Sequence, residues 1–229
     1  MHQGNLNLEK LLPAPSLKEM ALSIIKEAVL AKKLEPEKMY TEAALTSEMG
    51  ISRTPVREAL IHLASRGMIV YHPRKGFQIK AMTEKDVRDL FELRLALELA
   101  VIRHITPHLT DASLAQIEQV WNRYMEVAQE GDPVESIHAN REFHVRLAQL
   151  SENSYLINAL DEIRDLTDLA NVRSLEIDSR TEEATAEHER IFIELKNRSL
   201  DGALREMEAH IRTTEERVTA RIQKARAAA

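Results

Sequence analysis

The sequence predicts a mainly α-helical protein in two parts: a helix-turn-helix unit closed by a small two-stranded hairpin, then an all-helical antiparallel bundle. Three observations predict this. The stretch Ser52-Arg53-Thr54-Pro55-Val56-Arg57-Glu58-Ala59-Leu60, continued by Leu63 and Gly67, has an apolar back at helical spacing and two arginines four residues apart on another face. Two strand-like runs, Met68-Ile69-Val70-Tyr71-His72 and Phe77-Gln78-Ile79-Lys80-Ala81, flank the basic turn Pro73-Arg74-Lys75-Gly76. From Thr83 onward the chain has no strand pattern and no glycine-rich loop, only amphipathic segments separated by caps and breakers.

The elements follow in order. Residues 1–15, with Pro13 and Pro15, read as a loose arm. Ser16-Leu17-Lys18-Glu19 is a capping box that opens a helix whose Leu17, Met20, Ala21, Ile24 and Ala28, with Ile25 and Val29, are expected to face the core. Thr41 to Met49 forms a short helix closed by Gly50. The next helix, capped by Ser52 or Thr54 and ended by Gly67, offers Arg53 and Arg57 outward. Pro55 suits a first turn, where an N–H needs no partner. With the hairpin these make a winged helix-turn-helix over 16–82. Thr83 with Asp86 caps the first helix of a second domain, 83–229, whose helices are expected at 84–105, 111–130, 134–150, 154–177, 181–197 (opened by Ser179 with Glu182) and 200–225.

Composition fits this division. The 229 residues allow two domains, and 44% hydrophobic content with only 4% aromatic residues suits helical cores. Without cysteine, disulfides and thiolate metal sites are excluded. No run reaches the length of a membrane span and Met1–Lys10 lacks a signal-peptide pattern, so a cytoplasmic protein is expected. Net charge is −6, but residues 1–82 hold 12 Lys+Arg against 8 Asp+Glu, while 83–229 hold 19 against 29. The N-terminal half alone suits a polyanion.

The run Ser-Arg-Thr-Pro-Val-Arg-Glu-Ala-Leu at 52–60, in its helix-turn-helix and hairpin setting, resembles the GntR family of bacterial transcription regulators over about residues 16 to 82. That resemblance implies a homodimer on double-stranded operator DNA, with Arg53, Thr54 and Arg57 on the recognition helix and Gly76 at the wing tip meeting DNA. Arg74 and Lys75 complete the basic tip. Some relatives carry a DNA-contacting arginine in the second helix, where this chain has Ala43.

In the second half, polar residues interrupt the apolar stripes and call for partners inside the bundle. His144 continues the stripe of Ile137 and Leu147, with Asn140 four residues earlier on the same face. His188 sits with Ala184, Ile191 and Leu195, and His210 with Ala203, Met207 and Thr214. One such histidine reads as a hydrogen-bonded core residue. Three on three helices can converge on one cavity, and neutral imidazole is a common metal ligand. Arg94 also lies on an apolar stripe, among Leu90, Leu97 and Val101, either paired with Glu98 one turn on or turned to a carboxylate.

The segments Phe91–Glu98, Asn140–His144, Glu187–Ile191 and Met207–Ile211 resemble successive motifs of the FCD effector domain. The resemblance implies a divalent metal held by Asn140, His144, His188 and His210, zinc first, with nickel or manganese as alternatives. The family's usual ligand at Asn140 is aspartate; an amide oxygen can coordinate but brings no charge. Metal and Arg94 together would hold a small organic acid effector, a ligand class that the resemblance also favours. The expected function is therefore a DNA-binding transcription regulator, not an enzyme, whose operator affinity shifts when an effector binds two arrangements unequally. The rivals are a metal-dependent hydrolase-like enzyme, in which three histidines with an open position activate water, and a metal sensor or structural metal site without organic ligand. Against the enzyme, Glu142 and Glu187 beside the ligands are expected to point off the ligand face.

Overall fold

A computed structural model describes residues 14–36, 38–174 and 180–227. Most of the expected arm at 1–15, the end of the helix expected to reach 177 and the Ser179 cap lie outside the described residues. The N-terminal half is α1 (Leu17–Leu30), α2 (Glu42–Met49), α3 (Arg53–Ser65) and a hairpin of β1 (Ile69–His72) and β2 (Gly76–Ile79). The helical bundle that follows is α4 (Glu84–Ile105), α5 (Asp111–Glu130), α6 (Pro133–Leu150), α7 (Ser154–Ser174), α8 (Arg180–Lys196) and α9 (Leu200–Ala227). Both predicted classes of structure are present, in the predicted order.

The local signals act as their chemistry requires. Ser16 and Glu19 form a reciprocal capping box on α1, and Gly50 takes the left-handed conformation that closes α2 at φ 64°. Two expectations are corrected. Ser52 precedes α3 in extended backbone but makes no side-chain cap, and Thr54 lies inside the helix. On α1 the buried face is Ala21, Ile25, Val29 and Leu30, whereas Leu17, Met20 and Ile24, expected inside, are about half exposed. The helix carries two apolar stripes of the same period, and only one meets α3.

The strands pair antiparallel from Ile69↔Ile79 to His72↔Gly76; the first starts one residue later than expected, and the second starts one residue earlier and ends two residues earlier. Chain entering α2 lies against this hairpin: Tyr40 and Phe77 exchange backbone hydrogen bonds of 2.9 and 2.8 Å, and their rings stand 5.7 Å apart. Gly76 sits at that close approach with φ 127°, where a Cβ would fall 2.0 Å from the Tyr40 carbonyl oxygen. No side chain fits there.

The bundle joins the winged half at Thr83, whose capping box with Asp86 opens α4. Asp86 also takes an ion pair from Lys80 at 2.8 Å, tying the exit of the wing to the first bundle helix. Elsewhere α1 rests on α6 and α7. Leu30, Ile137 and Val172 form a small apolar cluster, Glu27 meets His138 at 3.2 Å, and Lys26 meets Asp165 at 2.6 Å. Gly67, at the end of α3, faces Leu166 of α7.

These contacts predict two stability effects. Gly76→Ala should destabilise by at least about 2 kcal/mol, a steric conflict with backbone, while Gly50→Ala, with nothing within 4 Å of the new Cβ, should cost only about 1 kcal/mol for its positive φ. Urea unfolding of the two variants checks the order. Burial opposes the charge of Asp86, but the Lys80 and Thr83 donors outweigh it and hold the carboxyl at about 2, below its ordinary 3.8. A carboxyl depressed by folding stabilises above its unfolded value and loses that stability as pH falls from about 3.8 through about 2. Because the group is largely solvated, the effect should be at most about 1 kcal/mol. Acid titration of the melting temperature should be shallower for Asp86→Asn across that window.

Candidate functional site

Two sites are assembled from the predicted residues. On α3, Val56, Ala59, Leu60 and Leu63 are buried, so Arg53, Thr54 and Arg57 are left on the exposed side. Arg57 is not loose. Its Nε and Nη2 lie 3.3 and 3.1 Å from the two carboxylate oxygens of Glu42, the first residue of α2, and the Tyr71 hydroxyl of β1 donates to the same carboxylate. The hydroxyl bond and the guanidinium hold Glu42 below the usual carboxylate range, and Glu42 in turn raises Arg57. One acid thereby ties α2, α3 and the wing and fixes the fork of Arg57. Arg74, at φ 65°, and Lys75 form the exposed hairpin tip, whereas Gly76 is buried against Tyr40. Its need for glycine is steric.

The second site lies in the bundle. Its helices α6, α8 and α9 each bring one histidine inward because each residue sits on the buried stripe: His144, His188 and His210 are 5%, 0% and 4% exposed. One nitrogen of each ring lies within 4.8 Å of the others. The opposite nitrogens point at acceptors. His144 Nδ1 is 3.1 Å from Glu98 Oε1, His188 Nδ1 donates to the Ala184 carbonyl at 2.7 Å, and His210 Nδ1 donates to Glu187 Oε2 at 2.9 Å. These acceptors assign the proton to Nδ1 in all three rings and leave three Nε2 lone pairs inside. Nε2 of His144 and His188 are 3.3 Å apart, and His210 Nε2 is buried without a hydrogen-bond partner among the described residues. Phe143 and Tyr124 close the cavity around His188, with ring centroids at 5.0 and 4.8 Å.

Electrostatics keep the rings neutral. Burial, then the neighbouring charges of the cluster, push His188 and His210 well below the ordinary histidine value, and burial lowers His144 although Glu98 opposes it. Burial also opposes ionisation of Glu98, but the His144 N–H and the Arg94 guanidinium hold its carboxyl at about 2. Three converging neutral imidazoles fit a borderline divalent cation: His210 Nε2 has no hydrogen-bond partner among the described residues, the Nε2 atoms of His144 and His188 face each other with Arg94 Nη2 3.1 Å from that of His144, and a cation satisfies all three lone pairs at once.

Beside the histidines runs a narrow polar pocket lined by Arg94, Asn140, Arg141, Arg164, Thr167 and Asp168, among others. Asn140 stands on its wall, together with His144. Arg94, 4% exposed, reaches His144 Nε2 at 3.1 Å and Glu98 at 3.6 Å, so its pairing with Glu98 is buried and not a solvated surface contact. Arg141 bridges Asp165 at 2.8 Å and Asp168 at 3.1 Å. Burial pushes the Asp168 carboxyl up to about 6 despite Arg141.

Sequence reasoning missed two carboxylates here. Both Glu142 and Glu187 are expected off the ligand face; Glu142 is exposed, while Glu187 is 6% exposed and holds the far nitrogen of His210 from the next helix, with Arg217 at 3.1 Å on its other oxygen. Glu98 reads from the sequence only as a partner of Arg94, yet it also faces His144 Nδ1 at 3.1 Å. The available signal was an acid directly preceding a buried histidine on one helix while another histidine occupied the next.

Comparison with known proteins agrees with this architecture. The family described as bacterial regulatory proteins, gntR family, matches residues 17–79, and the FCD domain matches residues 89–213. The HTH-type transcriptional regulator YdhC of Bacillus subtilis is 28% identical over 187 residues, spanning 81% of this chain and 84% of the relative. The transcriptional repressor RspR of Escherichia coli is 24% identical over 206 residues, 90% of each chain. Among solved structures, E. coli McbR/YncC superposes with a TM-score of 0.77 at 19% identity, covering 87% of this chain and 95% of that one. A GntR regulator from Rhodococcus sp. RHA1 gives 0.79 at 17%, covering 90% and 99%. With an FCD domain over more than half its length behind a gntR-type reading head, the chain belongs to the FCD-bearing GntR family of bacterial transcription regulators.

Proposed function

We propose that this regulator works as a cytoplasmic homodimer whose bundle holds a divalent metal on His144, His188 and His210, with Asn140 at its edge, and a small carboxylate on Arg94 beside it. One observation carries the metal reading: three buried Nε2 atoms face inward while every Nδ1 is held from outside. Such an ion, zinc by the donor set, would supply positive charge at the foot of the polar pocket. Glu98, the Ala184 carbonyl and Glu187 fix the three rings, as outer partners of metal-binding imidazoles do. The pocket's three guanidiniums, Arg94, Arg141 and Arg164, support an anionic organic ligand, and Arg94 alone among them also reaches a ligand imidazole. Among the described residues no general base stands at the converged nitrogens: Glu98 and Glu187 are engaged with the far sides of the rings. This supports regulation over hydrolysis.

On DNA, Arg53, Thr54 and Arg57 would read bases from α3, while Arg74, Lys75 and the backbone of Gly76 at the wing meet phosphate. Glu42 already takes Nε and Nη2 of Arg57, so a guanine that accepts a guanidinium fork would have to draw it off the acid.

The metal assignment is checked by thermal melting. With free zinc at about 100 times its dissociation constant, binding should stabilise the protein by about 2.7 kcal/mol, and a strong chelator should remove that gain. His188→Ala should abolish the response, and Glu187→Gln should weaken zinc by about 10–100-fold. A melting point indifferent to chelator and to added zinc, nickel and manganese would end the assignment. Mass spectrometry of small molecules released on denaturation identifies the acid, if the pocket holds one.

For DNA, Arg57→Ala should lose about 1–3 kcal/mol of discrimination at one base pair. Lys75→Ala should weaken binding evenly across sequences and reduce the salt slope by about 1. Fluorescence anisotropy on a site selected from random duplexes, against scrambled DNA, measures both. Unchanged preference in Arg57→Ala removes that residue from base reading.

A further inference from the structure

The polar pocket and the winged half meet at one carboxylate. Asp165 of α7 is 5% exposed and gives each oxygen to a different cation: Oδ1 to Arg141 of α6 at 2.8 Å, Oδ2 to Lys26 of α1 at 2.6 Å. Arg141 directly follows Asn140 and lines the pocket, with its second Nη on Asp168. Lys26 belongs to the helix that packs on α3 and so to the body of the DNA-binding half. We propose that Asp165 is the joint through which occupancy of the pocket reaches the winged half, with Arg141 and Lys26 as its competing partners.

The competition has a sign. While Arg141 lies on Asp165, the carboxylate keeps a counter-charge even when α1 moves away. An anionic ligand that draws the Arg141 fork into the pocket leaves Lys26 as the remaining counter-charge of a desolvated carboxylate, and docking of α1 on α7 tightens. Linkage makes the effect mutual: a docked Lys26 loosens the hold of Asp165 on Arg141 and favours the ligand. The neighbouring Glu27–His138 contact lies in the same junction, and neither residue lines the pocket. It provides an internal control. The proposal rests on the carboxylate reading of the pocket for its trigger, but the joint itself is testable without any ligand.

The chain has no cysteine, so Ser47→Cys on α2 and Glu189→Cys on α8, both exposed, place one spin label on each half. Labelled chains are diluted with unlabelled protein so that only intrachain distances are read. In the parent background Lys26→Gln, a partly exposed position that leaves the bundle intact, should broaden the distance distribution and add an undocked population. In an Arg141→Gln background the same change should shift a larger fraction, because Lys26 is then the chief partner of Asp165. Glu27→Gln should have equal effects in both backgrounds. A distribution untouched by Lys26→Gln, or a Lys26→Gln effect that is equal or smaller when Arg141 is replaced, overturns the joint. Calorimetry of the zinc-loaded parent with a panel of small mono-, di- and tricarboxylates separately tests the trigger. Failure of every acid to bind overturns the carboxylate reading and leaves the distance result to judge the joint alone.

Discussion

Three lone pairs pointed at one another inside an apolar bundle are unfavourable unless something positive lies between them, and much of the second half is arranged around that constraint. Each imidazole comes from a different helix, α6, α8 and α9, and each has an acceptor on its far side: hydrogen-bonded for His188 and His210, and for His144 the Glu98 carboxylate 3.1 Å away. Two of those partners are buried carboxylates, which themselves need counter-charges: Glu98 takes Arg94, and Glu187 takes Arg217. A histidine on an apolar stripe therefore draws in an acid, and the acid draws in an arginine. The polar core is a chain of such obligations running through four of the bundle's helices.

Much of this was legible in the sequence because it is local. Caps and breakers placed α4 and α5 at their observed bounds, and the apolar stripe placed His144, His188 and His210 inward. What failed was of two kinds. On α1, Leu17, Met20 and Ile24 share the helical period of the buried residues, and periodicity reports the union of two stripes without saying which one finds a neighbour. The role of Glu187 as partner of His210 was hidden for a different reason. A residue beside a ligand is turned about a quarter of the way around its own helix, but the face it occupies there belongs to α9, and only the packing of α8 on α9 brings His210 to it.

Long-range ion pairs were the least legible part. Lys26, Arg141, Asp165 and Asp168 look like ordinary charges on amphipathic helices, and nothing in their spacing marks α1 as lying across α6 and α7. Once it does, Asp165 is buried from both sides, so its pairing decides whether the two halves can part without leaving a desolvated charge. The short connection at Ala81 and Met82, pinned by Lys80 and Asp86, leaves few other ways for the halves to move.

The acid that clasps Arg57 also bears on how such a protein would find its site among many wrong ones. Glu42 and the guanidinium already satisfy each other, so a base that cannot accept both donors offers nothing that Glu42 does not already supply. Only a fully matching partner recovers what leaving the acid costs. On mismatched duplex the reading arginine would stay folded back, holding the chain by phosphate contacts alone, which permit sliding. If Arg57 reads bases as proposed, Glu42 trades some final affinity for shorter pauses at wrong sequences, and the helix that precedes the reading helix becomes a brake on false recognition.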